Sequence, residues 1–239
     1  MKKWEDDFKY AKEKHKEGEI KQALKLYLDL EITEKDNFEL YYLIGTGFLQ
    51  INNYHKAINY LGKSVEVKGN YSNSYNNRAI AFIKIGENYK AILDCDKALK
   101  LNANFNNALI NKGIALKNLN KFDEAIECLE KSISINPNLC ETYNNLGNIY
   151  KQTGDLKKAL EFYNKSISIN SKDIDAYKNK GIILKEMEEF EASIKSYEKA
   201  LKINSDIDYL QAGVIHSKMF LCDWENFNEQ IQSLKKKII

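Results

Sequence analysis

Apolar residues recur along the chain three and four places apart, the spacing of one face of an α-helix, and they come in paired runs separated by polar or glycine-bearing turns. Residues 4–37 give Phe8, Ala11, Ile20, Ala23, Leu24 and Tyr27 around a turn at Gly18-Glu19. Residues 38–71 repeat the pattern with Tyr41, Gly45 and Phe48, a turn near Asn52-Asn53, then Tyr54, Ala57, Ile58 and Leu61. Four more segments follow in the same register, at 72–105, 106–139, 140–173 and 174–207. Each segment predicts a helix, a tight turn and a second helix. The chain therefore predicts an all-α architecture of twelve repeat helices, with a helical tail over 208–239.

Two columns of small residues keep this register. Ala23, Ala57, Ala91, Ala125 and Ala159 stand 34 residues apart, and Ser193 completes the column. Ala11, Gly45, Ala79, Gly113, Gly147 and Gly181 form the other at the same spacing. Antiparallel helices approach closely only where a side chain is nearly absent, and larger residues then fill the space around the contact. One hairpin cannot bury its apolar face alone, so the hairpins must stack.

A 34-residue helix–turn–helix period with small residues at its eighth and twentieth positions resembles the tetratricopeptide repeat. Residues 140–173 match that pattern best, Pro137 is the one family proline, and Asp7 and Lys14 replace apolar residues in the first segment, as in an end cap. The resemblance implies a right-handed superhelical solenoid, with first helices lining a concave groove and second helices outside. The tail loses the signature, with Ile215 at the small position and Phe227 at the alanine position. Trp224, Phe227, Ile231, Leu234 and Ile238 still form an amphipathic stripe, expected to cap the last hairpin or to mediate self-association. The segment from His216 to Trp224, with Phe227, resembles the one joining repeats to catalytic part in O-GlcNAc-transferase-like proteins.

Composition adds mainly exclusions. With 36 basic and 34 acidic residues the net charge is +2, which gives no global field for nucleic acid or an anionic membrane. The N-terminal residues lack the apolar core of a signal peptide, and no apolar run has the length of a membrane span. Cys95, Cys128, Cys140 and Cys222 show neither CxxC pairing nor companion histidines, which points to buried thiols in a reduced cytoplasmic protein. His15, His55 and His216 sit at non-equivalent positions, and Gly45-Thr46-Gly47 lies inside a helical pattern with no preceding strand. No catalytic constellation, metal site or cofactor site is expected.

Two asparagine columns remain. Asn102, Asn136, Asn170 and Asn204 fall where second helices end, and left-handed capping of the turn accounts for them. Asn77, Asn111, Asn145 and Asn179 fall in the middle of first helices, where no cap or turn requires asparagine and Ala is better by about 0.6 kcal/mol. A carboxamide matches a backbone amide with one acceptor and two donors, so such a row suits an extended peptide of any sequence. The column resembles the asparagine ladder of the O-GlcNAc-transferase repeats, and it breaks at Leu43 and Lys9. Lys117, Lys151 and Lys185 form a neighbouring basic row, and Ile80, Ile114 and Ile182 an aliphatic one that changes to Asn148 in the fifth repeat. The carboxylate clamp of chaperone-binding relatives is not matched, since Asn107, Asn111, Glu141 and Asn145 occupy its places. The expected function is a protein-interaction module holding an extended peptide in its groove. Two alternatives are the repeat region of an O-GlcNAc-transferase-like enzyme and self-association through Trp224, Phe227, Ile231 and Leu234.

Overall fold

The structure, a computed structural model, describes residues 2–33, 36–205, 208–224, 229 and 231–232. Among the described residues there are thirteen α-helices and no strands: α1 (Lys2–Lys16), α2 (Ile20–Thr33), α3 (Phe38–Gln50), α4 (Tyr54–Val67), α5 (Ser72–Lys84), α6 (Asn88–Leu101), α7 (Asn106–Asn118), α8 (Phe122–Ile135), α9 (Cys140–Gln152), α10 (Leu156–Ile169), α11 (Ile174–Glu186), α12 (Phe190–Ile203) and α13 (Asp208–Phe220). Odd-numbered helices are the first, or A, helices of the hairpins and even-numbered ones the second, or B, helices. The helices divide into two compact units, Met1–Ile135 and Asn136–Ile239.

The small columns do what close packing demands. Ala23, Ala57, Ala91, Ala125 and Ala159 are all fully buried. Ser193 is buried too, and its hydroxyl donates to the Gly181 carbonyl at 2.8 Å, which satisfies the polar atom that alanine lacks. In the other column a Cβ on Gly45 would lie 2.6 Å from Leu61, and one on Gly147 would lie 2.5 Å from Tyr163. The large residue sixteen places on fills the volume the glycine leaves. The Tyr197 ring is also met from the next hairpin: a Cβ on Gly213 would lie 3.0 Å from it, opposite the contact that Gly181 makes.

The turns within hairpins carry a third column. Gly18, Asn52, Gly86, Asn120, Gly154, Glu188 and Cys222, each 34 residues apart, all have φ between 54° and 84°. Left-handed backbone closes the turn between A and B helices in both units. Glycine adopts it freely and asparagine tolerates it, whereas Glu188 and Cys222 bear a steric cost. The tail thus keeps the repeat's turn at Cys222 after losing its small-residue column.

The capping asparagines work differently from the expectation. Asn102, Asn170 and Asn204 have φ of −144°, −127° and −142°, which is extended backbone. Asn102 and Asn170 each accept, through Oδ1, from the backbone N–H two residues on, at 3.2 and 3.0 Å, and Asn136 does the same at 3.0 Å. These are Asx turns, so the side chain rather than a left-handed backbone shapes the exit from the B helix.

Unit 1 also buries an ion pair. Arg78, the chain's only arginine, donates from Nε and Nη2 to the two carboxylate oxygens of Asp94, both at 2.7 Å. Asp94 is 5% exposed, so α5 and α6 are joined by a bidentate contact largely removed from water.

Candidate functional site

Within each unit the A helices pack against one another as well as against their B partners. In unit 1, α3 touches α5 and α5 touches α7; in unit 2, α9 touches α11 and α11 touches α13. No comparably close contact joins two B helices among the described residues. Within each unit, therefore, successive A helices converge where successive B helices do not.

The mid-helix asparagines lie on this converging side, and the structure assigns most of them a role that was not expected. In unit 1, Asn111 on α7 donates at 2.9 Å to Oδ1 of Asn76 on α5, which is buried at 3% exposure. Asn76 in turn donates to Asn77 at 3.3 Å, and Asn77 donates to Thr46 and Tyr42 on α3 at 3.1 and 3.4 Å. A relay of amides therefore ties three successive A helices together. Burial pushes the Tyr42 hydroxyl above its usual pKa, partly offset by its bonds with Thr46 and Asn77, so it is protonated at neutral pH.

In unit 2, Asn179 on α11 is 8% exposed and donates to Asn144 and Asn148 on α9 at 3.2 and 3.1 Å. Asn148 also accepts from the Tyr163 hydroxyl at 2.9 Å, so it is a junction between α9, α10 and α11. Asn145 stands apart. Its Nδ2 donates to the Glu141 carbonyl of its own helix at 3.0 Å, and among the described residues its Oδ1 accepts no bond. The column therefore has a structural task at Asn77, Asn111 and Asn179, which bridge helices, whereas Asn145 bonds within its own helix.

The acceptors have a sequence signature that the column alone did not reveal. Asn77, Asn111 and Asn179 reach partners 35 or 31 residues earlier: Tyr42 and Thr46, Asn76, and Asn144 and Asn148. The residues 35 and 31 places before Asn145 are Ile110 and Ile114, which have no side-chain polar atom. A polar residue at either spacing is the signal for a bridging amide.

Lys117, Lys151 and Lys185 are half-buried on α7, α9 and α11. Of the cysteines, all are free, but only Cys95 is buried; Cys128 and Cys140 are half-buried and Cys222 is exposed, which corrects the expectation of buried thiols. Burial pushes the Cys95 thiol far above its usual pKa, which keeps it neutral and unreactive. His15 pairs with Gln50 at 2.8 Å, and the His216 ring lies 5.0 Å from that of Phe220. Among the described residues no helix is long and apolar enough to cross a membrane, and no group of His, Cys, Asp or Glu is placed to hold a metal ion. Of the apolar tail stripe, Trp224 is exposed and Ile231 half-buried, while Phe227, Leu234 and Ile238 lie outside the described residues.

Family models described as tetratricopeptide repeat match residues 38–71, 72–105, 104–172 and 174–207. No curated protein matches the chain in sequence. Among solved structures, MamA is 25% identical with a TM-score of 0.61, over 68% of this chain and 95% of that one. PilF of Pseudomonas aeruginosa is 20% identical, with a TM-score of 0.72 over 83% of this chain and 90% of that one. A tetratricopeptide repeat protein from Parabacteroides merdae is 16% identical, with a TM-score of 0.78 over 99% and 94%. Matched models running from 38 to 207, paired helices and a 34-residue period agree: the chain belongs to the tetratricopeptide repeat family, whose stacked helix pairs form protein-interaction scaffolds.

Proposed function

We propose that the inner A-helix face binds an extended polypeptide segment, with Asn145 as its main recognition group and Lys151 and Lys185 as a basic edge in unit 2. In unit 1 Lys117 holds the equivalent basic position, while the Asn111 amide is already engaged with Asn76. The observation that carries this reading is the spare hydrogen-bonding capacity of Asn145. A mid-helix asparagine is worse than alanine by about 0.6 kcal/mol, and this one recovers only a bond to its own helix's carbonyl. Its carboxamide offers an acceptor and a donor side by side, the arrangement a peptide group needs in order to pair through both its N–H and its C=O.

Asn77 and Asn179 contribute differently. Their donors are committed to neighbouring helices, so they hold the spacing of the A helices on which the bound segment lies. The test uses peptides selected on the full chain from a random library and read by fluorescence anisotropy. Asn145→Ala is expected to weaken them by about 1–2 kcal/mol with an unchanged melting temperature. Unaltered affinity in that variant removes the claim.

A further inference from the structure

The ladder position has a fifth member. Counting 34 residues on from Asn179 reaches Gly213, in α13. Where the repeats before it present a carboxamide, this hairpin presents no side chain at all. A pocket of about 320 Å³ opens there, lined by α11, α12 and α13.

The pocket has two characters. Half-buried Ile182 forms an apolar floor over buried Leu210 and the buried Tyr197 ring. That ring is lodged between two glycines, since a Cβ on Gly181 would lie 2.6 Å from it and one on Gly213 3.0 Å. Gly213 therefore lets α13 pack directly on the buried ring, and the pocket opens beside that contact. The rim is basic, with Lys185 and Lys178, and the exposed His216 lies beside them. Lys178 already meets Asp175, whereas Lys185 has no ion pair among the described residues.

We propose that this pocket anchors one apolar side chain of the bound segment, whose neighbouring residues are acidic. The inference rests on the peptide-binding reading above and names the chemistry of its ligand. Size supports a single anchor, because the volume is at the lower end for ligand pockets. Placement supports it too. An extended chain advances about 3.3 Å per residue and packed helices stand about 8–10 Å apart, so a segment contacting Asn145 and Asn179 reaches the pocket about three residues further on. Charge selects the partner: Lys185, with no ion pair among the described residues, favours carboxylates beside the anchor.

The experiment measures anisotropy of labelled Glu-rich peptides on the full chain. One series carries a single central Leu, a second Ser in its place, and a third Leu with Lys replacing Glu. Wild type is expected to bind the Glu/Leu peptide at least about tenfold more tightly than either alternative. Ala212→Phe, which fills the pocket, should erase the Leu preference, and Lys185→Glu the preference for Glu. Circular dichroism of both variants checks that they fold, and Lys185→Glu keeps the question answerable if Ala212→Phe does not. A Leu preference that survives Ala212→Phe overturns the proposal. If wild type binds all three peptides alike, the anchor falls and the groove stands; if it binds none, both fall together. A concentration-dependent rise in mass that Ala212→Phe abolishes would instead assign the pocket to a second copy of the chain.

Discussion

The two units use the same columns to different ends. In unit 1 the inner amides form a relay from Asn111 through Asn76 and Asn77 to Thr46 and Tyr42, and the Arg78–Asp94 pair ties an A helix to its B helix. In unit 2 the position of Asp94 is taken by Phe162 and Ser196, and among the described residues only the Asn179 side chain bridges A helices, while Asn145 bonds within its own helix. Polar groups in unit 1 are thus spent on structure. Unit 2 leaves Oδ1 of Asn145 without a partner among the described residues, and a pocket opens at the next position of that column. The lesson is that a periodic residue acquires its role from what stands one repeat earlier, not from its own column.

The largest effect that separates the units concerns the buried pair. Asp94→Ala strands the Arg78 guanidinium and should cost about 3–5 kcal/mol in chemical denaturation, against under about 1 kcal/mol for Ser196→Ala. Equal losses would break the comparison. Next come the bridging amides: Asn77→Ala and Asn179→Ala should each cost about 1–2 kcal/mol, because each leaves polar partners unbonded. The turns follow. Glu188→Gly relieves a left-handed residue and should stabilise by about 1 kcal/mol, and Gly154→Ala should do the reverse. The smallest change is expected for Asn145→Ala, within about 0.5 kcal/mol of wild type, since the better helix propensity of alanine offsets the lost bond. A loss comparable to that of Asn179→Ala would show that Asn145 bridges as the others do.

Much of the fold was legible in the residues. The small columns, the apolar runs and the turn glycines are local requirements repeated every 34 residues, and any one repeat can be checked against the next. The candidate site was legible only in part. Asn77 and Asn145 are the same residue at the same position, but Asn77 bonds to Thr46 and Tyr42 of the preceding A helix while Asn145 bonds to the Glu141 carbonyl of its own. The Asx turns at Asn102, Asn136 and Asn170 were recognised as caps but not by mechanism, because asparagine serves both the left-handed and the side-chain solution.

The sequence by itself determined that this chain is a stack of helical hairpins, because helix periodicity and small-residue spacing follow from backbone geometry alone. Tertiary structure alone decided which amides are occupied and where a cavity remains. Those outcomes depend on residues from different hairpins meeting in space, as Asn179 meets Asn144, and as Gly213 packs against the ring of Tyr197.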